Sequence, residues 1–161
     1  MMNDLRFLTI AYKTAQQEST DPSTQNGAVL VLHDQVCAAA ANRFPKGVIE
    51  KPERWERPGK YQYVEHAERN VLFAAARVGC RTYGTTLYVP WFACADCARA
   101  IIQCGVKEVV GHKKMFDGTP ERWKESVEVG IRMLDEAGVQ HRLVEGDVGI
   151  EIRFNGSMWL S

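Results

Sequence analysis

The sequence predicts an α/β fold in which helices cover both faces of a mixed central sheet. Two observations carry that prediction. Short apolar runs alternate with segments of helical period in the order strand, helix, strand, helix, strand, helix, and right-handed crossovers between such strands lay the helices over the sheet. The length of 161 residues suffices to bury one core and is too short for two, so residues 1–161 are expected to form a single domain.

Met2 to Glu18 places Leu5, Leu8, Tyr12 and Ala15 at helical spacing behind Asn3, which predicts an amphipathic first helix ended by Ser19 to Thr24. Ala28 to Leu32 and Val36 to Ala41 are apolar runs separated by His33-Asp34-Gln35, a β-hairpin whose strands are expected to be largely buried. Asn42 to Gly59 carries Pro45, Gly47, Pro52 and Pro58 among many charges and reads as a long ordered loop or lid. A helix from about Ala67 to Val78, a strand at Thr86 to Val89 and a helix at Cys94 to Cys104 follow. A buried run at Lys107 to Val110, a helix at Glu121 to Ala137 and an extra edge strand within Val148 to Phe154 complete the series. No internal repeat, low-complexity segment or linker interrupts it.

Lys and Arg number 20 and Asp and Glu number 20, so no global field favours a polyanion and nucleic acid is not an expected partner. A small substrate fits better. No apolar run approaches the roughly 18 residues of a membrane span, and the N-terminus carries charges where a secretory signal has its apolar core, so a cytoplasmic location is expected. The five cysteines are an odd set outside any small secreted scaffold, which points to reduced thiols free to bind metal.

Those thiols matter at one place. Lys60-Tyr61-Gln62-Tyr63-Val64-Glu65-His66-Ala67-Glu68-Arg69-Asn70 contains H-x-E, and Phe92-Ala93-Cys94-Ala95-Asp96-Cys97 contains C-x-x-C. Zinc takes nitrogen and sulfur ligands tetrahedrally, and a catalytic site keeps three protein ligands and leaves the fourth position to water. His66, Cys94 and Cys97 supply three. Cys94 and Cys97 open a helix, so their sulfurs fall on one side and the positive helix end favours thiolates. Glu68 is not needed as a ligand. Its use is as the proton carrier beside a water whose pKa zinc lowers towards about 7, moving one proton to a pyrimidine ring nitrogen and one to the departing amine. This is the donor and acid/base set of the zinc-dependent deaminases.

Either motif alone says little. C-x-x-C is also a structural zinc site or a redox pair, and H-x-E is commonplace on helices. A non-catalytic zinc module would require a fourth protein ligand, for which Cys37, Cys80, Cys104, His33, His112 and His141 are the donors on offer. If the substrate carries a phosphate, Arg43, Lys46, Arg54, Arg57, Lys60, Lys113 and Lys114 are the candidate cations, and the sequence does not choose among them.

On these segments, together with Asp21-Pro22-Ser23-Thr24-Gln25-Asn26-Gly27-Ala28-Val29 and Ala98 to Val109, the chain resembles the deoxycytidylate (dCMP) deaminase family of the cytidine deaminase superfamily, over roughly residues 5 to 140. The resemblance implies a three-layer α/β/α sandwich, one catalytic zinc ion per subunit, and a hydrolase acting on a cyclic amidine C–N bond. It further implies conversion of dCMP to dUMP with release of ammonia, supplying dUMP for thymidylate synthesis. A homo-oligomer, hexameric in many members, and control by dCTP and dTTP are implied as well. By the same match Asn42 hydrogen-bonds the substrate sugar, a turn before Phe44-Pro45 being its alternative role, and the backbone N–H of Ala67 holds the pyrimidine carbonyl. Phe44 and Phe92 are candidates to flank the base, with core packing as the alternative, and Arg43 is a further candidate contact.

The chain departs from the family pattern at several points. Ala93 replaces the proline that usually precedes the first zinc cysteine, Arg43 stands where nucleotide enzymes usually have glycine, and Lys113-Lys114-Met115-Phe116 matches only in part. Between Arg43 and Glu65 there is neither Cys nor His, so a second zinc has no ligands there. Other superfamily activities, on dCTP, free cytidine or deoxycytidine, tRNA adenosine or a riboflavin precursor, are the alternatives. The long lid and the balanced charge count against tRNA.

Overall fold

The computed structural model describes residues 2–161. Its centre is a five-stranded mixed sheet in the order β2-β1-β3-β4-β5, formed by β1 (Gly27–Leu32), β2 (Gln35–Ala41), β3 (Thr86–Val89), β4 (Glu108–His112) and β5 (Gln140–Val144). The first three pair antiparallel, while β3, β4 and β5 run parallel.

Period-two alternation sorts the strand side chains into two layers of core. Ala28, Leu30, Leu87, Val89 and Val109 face α3 (Ala67–Val78), α4 (Ala95–Gln103) and α6 (Glu121–Glu136). Val29, Val31, Tyr88, Val110 and Val144 face Phe7, Leu8 and Ala11 of α1 (Met2–Glu18). This is the three-layer α/β/α sandwich. The crossovers β3-α4-β4 and β4-α6-β5 put both of their helices on one face, as consecutive right-handed units in one direction require.

α1 crosses β1 backbone against backbone at Gly27. A Cβ there would stand 2.1 Å from the carbonyl oxygen of Ala11 and 2.7 Å from the nitrogen of Ala15, so only glycine lets the first layer seat. The β1–β2 turn is made by His33 and Asp34, both in the left-handed region at φ 49° and 59°, the pair of positive angles that matches strand twist in a two-residue hairpin. β2 corrects the expectation of a largely buried strand. It is the edge of the sheet, exposed at Gln35 and Val36 and half-buried from Cys37 to Ala40.

The lid holds a 3₁₀ turn at Pro52–Trp55 and leads into α2 (Lys60–Tyr63). A short helix, α5 (Lys113–Asp117), follows β4. The C-terminal segment corrects a second expectation. Instead of adding an edge strand to the main sheet, β6 (Glu151–Phe154) pairs with β7 (Ser157–Leu160) in a separate two-stranded sheet. Ile152 and Phe154 of that hairpin pack with Tyr12, Ala15 and Met115, on the α1 side.

Asp4 ties the first layer to the sheet. Its carboxylate accepts bonds from Arg142 at 2.8 and 2.9 Å and from the Tyr88 hydroxyl at 3.0 Å. The Arg142 bonds, foremost, outweigh burial and hold its pKa down at about 2. A depressed carboxylate contributes stability that is present above its unfolded pKa of about 4 and is lost as pH falls through the folded value. Asp4→Asn is therefore expected to lower stability to urea by about 2 kcal/mol at neutral pH, with the gap to the parent narrowing as pH drops from about 4 towards 2. A gap independent of pH over that range would refute the ionic origin of the effect.

Candidate active site

His66 and Cys94 occupy equivalent positions, each the N-cap of a helix and each in extended conformation at φ −73° and −75°. The cap position turns the side chain across the helix start, and Cys97 lies one turn inside α4 on the same side. The imidazole Nδ1 of His66 lies 3.5 Å from the Sγ of Cys94 and 3.5 Å from that of Cys97, and the two sulfurs are 3.6 Å apart. A tetrahedral zinc with Zn–S near 2.3 Å and Zn–N near 2.1 Å has edges of about 3.6 to 3.8 Å, so three corners of such a site are already in place. Among the described residues, His66, Cys94 and Cys97 are the set of His, Cys, Asp and Glu whose ligand atoms converge this closely.

The other candidate donors are engaged elsewhere. His112 sits between the Tyr12 hydroxyl at 2.5 Å and the Gly146 carbonyl at 2.8 Å, and burial holds its pKa low. His141 pairs with Asp135 at 2.8 Å, Cys104 caps the far end of α4, and His33 forms the β1–β2 turn. Cys37 bonds to the Gln35 carbonyl and faces Cys80.

The charge of the cluster also fits a cation. The Cys97 thiol stabilises the Cys94 thiolate and, with help from His66 and against burial, brings the Cys94 pKa down to about 4. The Cys94 sulfur and burial together push Cys97 far the other way. One negative charge forms readily and a second only with a positive partner between the sulfurs, which is the electrostatic demand of a divalent metal.

Glu68, in the first turn of α3 and only 3% exposed, stands beside the cluster. Burial, the largest influence, pushes its pKa up to about 7, so near neutral pH it both gives and takes a proton. The start of α4 is braced from α6: the Ala95 N–H donates to the Ser126 hydroxyl at 3.1 Å. A Cβ on Gly130 of α6 would come within 3.0 Å of the Ala93 carbonyl oxygen, so a bare backbone lets α6 lie against the cysteine turn.

His66, Glu68 and Cys94 line a cleft that opens to solvent at its mouth. Of the expected substrate contacts, Asn42, Ala67 and Phe92 line the cleft. Phe44 and Arg43 do not. They border a separate groove, where Phe44 is 1% exposed and stacks on Trp55 and Tyr63, and Arg43 faces Glu50 at 3.6 Å. Backbone bonds between Arg43 and Glu65, of 3.2 and 2.9 Å, fasten the start of the lid to the residue before His66.

Asn42 is committed within the protein. Its Oδ1 accepts from the Ser19 hydroxyl and the Asn26 N–H, and its Nδ2 donates to the Thr24 carbonyl at 2.7 Å and to Asp21. Asp21 in turn holds Lys60 at 2.8 Å in a buried ion pair that joins the loop before β1 to α2.

The aromatic wall escaped the sequence reading. Trp123 makes edge contacts with His66, Tyr61 and Trp91 at centroid distances of 5.6, 5.8 and 5.8 Å, and all four residues line the cleft. Trp91 adjoins Phe92 and Tyr61 lies in the stretch that carries H-x-E, so both were findable by neighbourhood, whereas nothing near Trp123 in sequence marks it.

Comparison with known proteins agrees with this geometry. Residues 1–113 match the family described as the cytidine and deoxycytidylate deaminase zinc-binding region. The chain is 36% identical over 122 residues to an uncharacterized deaminase in the luxG 3′ region of Aliivibrio fischeri, covering 76% of this chain and 80% of that one. It is 32% identical over 144 residues to the deoxycytidylate deaminase of Pongo abelii, covering 84% and 76%. The crystal structure of dCMP deaminase from cyanophage S-TIM5 in apo form superposes with a TM-score of 0.68 at 23% identity, over 88% of this chain and 96% of that one. The same enzyme in complex with dCMP and dUMP superposes at 0.63 and 23%, over 86% and 94%. At these identities the structures establish the fold.

Proposed function

Because the chain belongs to the cytidine and deoxycytidylate deaminase family, whose zinc-binding region spans its residues 1–113, we propose that it hydrolyses dCMP to dUMP and ammonia. The observation that carries this reading is the buried Glu68 beside three converging zinc donors in an aromatic-walled cleft.

His66, Cys94 and Cys97 hold the zinc, which when bound supplies the Lewis acidity that makes water a nucleophile at neutral pH. Glu68 takes a proton from the attacking water, whose oxygen bonds to the aminated carbon, and places that proton on the adjoining ring nitrogen. It then delivers the second proton to the amine, so the C–N bond breaks, a C=O bond takes its place and ammonia leaves. The backbone N–H of Ala67, one of the donors that a helix start leaves without an intrahelical partner, receives the pyrimidine carbonyl. Phe92 and the tryptophans exclude bulk water and present flat apolar faces to the base. Asn42, fixed by four bonds, is assigned to the sugar side of the cleft, where its contact with the sugar requires it to exchange one of those bonds.

A single domain over residues 1–161, working in the cytoplasm as a homo-oligomer with dCTP and dTTP as effectors, completes the proposal. Exposed Phe73 and Val78 on α3, beside the edge strand β2, support association between copies. No helix of the described residues is long and apolar enough to cross a membrane, and all five cysteines are free.

The test is ammonia release from a panel of dCMP, dCTP, deoxycytidine and a phosphoribosyl aminopyrimidine with zinc-loaded protein. One ammonia per dUMP, fastest from dCMP, is expected. Release from another member with none from dCMP would overturn the substrate assignment.

A further inference from the structure

The cleft has a polar gradient that the deamination chemistry does not use. Its floor carries His66, Cys94 and Glu68, all buried or half-buried, while its exposed rim carries two guanidinium groups, those of Arg57 on the lid and Arg122 at the start of α6. Among the described residues neither arginine has a carboxylate partner.

Four of the other candidate cations are engaged elsewhere. Lys60, also in the lining, directs its ammonium at both oxygens of Asp21 and at the Ser23 hydroxyl, at 2.8 to 3.1 Å, and is spent there. Arg43 faces Glu50, Lys113 pairs with Asp117, and Arg54 lies over the Tyr63 ring and donates to the Ile49 carbonyl. The acids of the lining are Asp21, matched by Lys60, and Glu68 on the floor. The rim therefore has two guanidinium groups without a carboxylate partner, one on the lid and one on α6.

Arg122 is also held in place. Its Nη2 donates to the Asn155 side-chain oxygen at 2.8 Å. Asn155 and Gly156 form the tip of the β6–β7 hairpin at φ 51° and 84°, and the tip is pinned to the loop before β1. The Asn155 N–H donates to the Thr24 hydroxyl at 3.1 Å, and the Gly156 N–H donates to the Ser23 carbonyl at 2.8 Å. Arg57 also reaches that loop, at the Ser23 hydroxyl, at 3.4 Å. Both arginines thus bracket one short segment at the mouth.

We propose that Arg57 and Arg122 form a two-armed clamp for the 5′-phosphate of the substrate, with Asn155 positioning Arg122, so that the C-terminal hairpin sets the preference for nucleotide over nucleoside. The inference rests on the deaminase reading above, because a pyrimidine with its amine at the floor carries its 5′ end to the rim. Guanidinium forks suit a phosphate dianion, and two of them approaching from different elements fix both its position and its direction.

The zinc-loaded protein is tested by kinetics with dCMP and deoxycytidine and by calorimetric binding of dUMP and deoxyuridine. Arg57→Ala and Arg122→Ala are each expected to reduce the preference for dCMP over deoxycytidine by about 10- to 100-fold, and to reduce the advantage of dUMP over deoxyuridine alike. Arg122→Lys restores part of the preference. Asn155→Gly, which suits the positive φ of the turn, raises KM for dCMP several-fold with little change in kcat, and it adds nothing to Arg122→Ala in the double variant. A preference that survives both arginine substitutions, or a parent protein that treats dCMP and deoxycytidine equally, overturns the clamp alone. A parent that binds dUMP far better than deoxyuridine but releases no ammonia from dCMP overturns the deaminase reading and leaves the clamp standing.

Discussion

Replacing Glu68 by Gln is expected to lower kcat for dCMP by about four orders of magnitude while the protein keeps one zinc per chain. The amide matches the carboxylate in shape but neither accepts nor delivers a proton, and both proton transfers of the proposed reaction pass through this one group. The magnitude follows from that double duty, since a single general acid or base contributes about 10²- to 10⁴-fold. Burial at 3% exposure leaves little room for solvent to substitute. Zinc content by elemental analysis and turnover by ammonia release make the check. Activity within tenfold of the parent would remove Glu68 from the chemistry, and loss of zinc would recast it as a ligand.

Removing a donor is expected to act differently. Cys97→Ala, or Cys94→Ala, should abolish stoichiometric zinc and measurable turnover together, and should also lower stability, because a metal held by His66, Cys94 and Cys97 would join the N-termini of α3 and α4. With zinc at a thousand times its dissociation constant, a ligand bound only by the folded state contributes about 4 kcal/mol. For a chain of this size that corresponds to about 8 to 16 °C in Tm. A chelator applied to the parent should reproduce the shift, and Glu68→Gln should not. A Cys97→Ala protein that still holds a full equivalent of zinc would show that another side chain completes the site.

The contrast between these variants separates proton transfer from metal retention, and the sequence already distinguished the two roles. H-x-E and C-x-x-C fix residue types and spacing locally, and each opens a helix, so the identities of His66, Glu68, Cys94 and Cys97 were readable without coordinates. Strands with continuous apolar runs were readable for the same local reason. β2 misled because Cys37-Ala38-Ala39-Ala40-Ala41 is apolar yet small, and small residues tolerate a half-exposed edge as well as a core. β5, with Gln140, His141 and Arg142 in its first three positions, hid its strand character behind polar side chains, one of which reaches across to Asp4.

The C-terminal hairpin was misjudged because Glu151 to Phe154 does alternate like an edge strand. Its partner was decided by the Asn155-Gly156 turn, which folds the chain back on itself. The cleft wall was the least legible part. Tyr61 of α2, Trp91 of the loop after β3 and Trp123 of α6 are far apart in sequence and meet only in the folded chain. Phe44, two residues after Asn42, points instead into the stack with Trp55 and Tyr63. Residues close together in an irregular segment share no fixed face, so the nearness of Phe44 to Asn42 said nothing about where its ring lies.

X-ray absorption at the zinc edge of the dilute, active protein tests the central claim most directly. Two sulfur scatterers near 2.3 Å and two lighter scatterers near 2.0 Å are expected, one light scatterer being His66 and the other supplied from outside the protein. A shell of three or four sulfurs, or two histidine patterns where one is required, would contradict a three-donor site worked by Glu68.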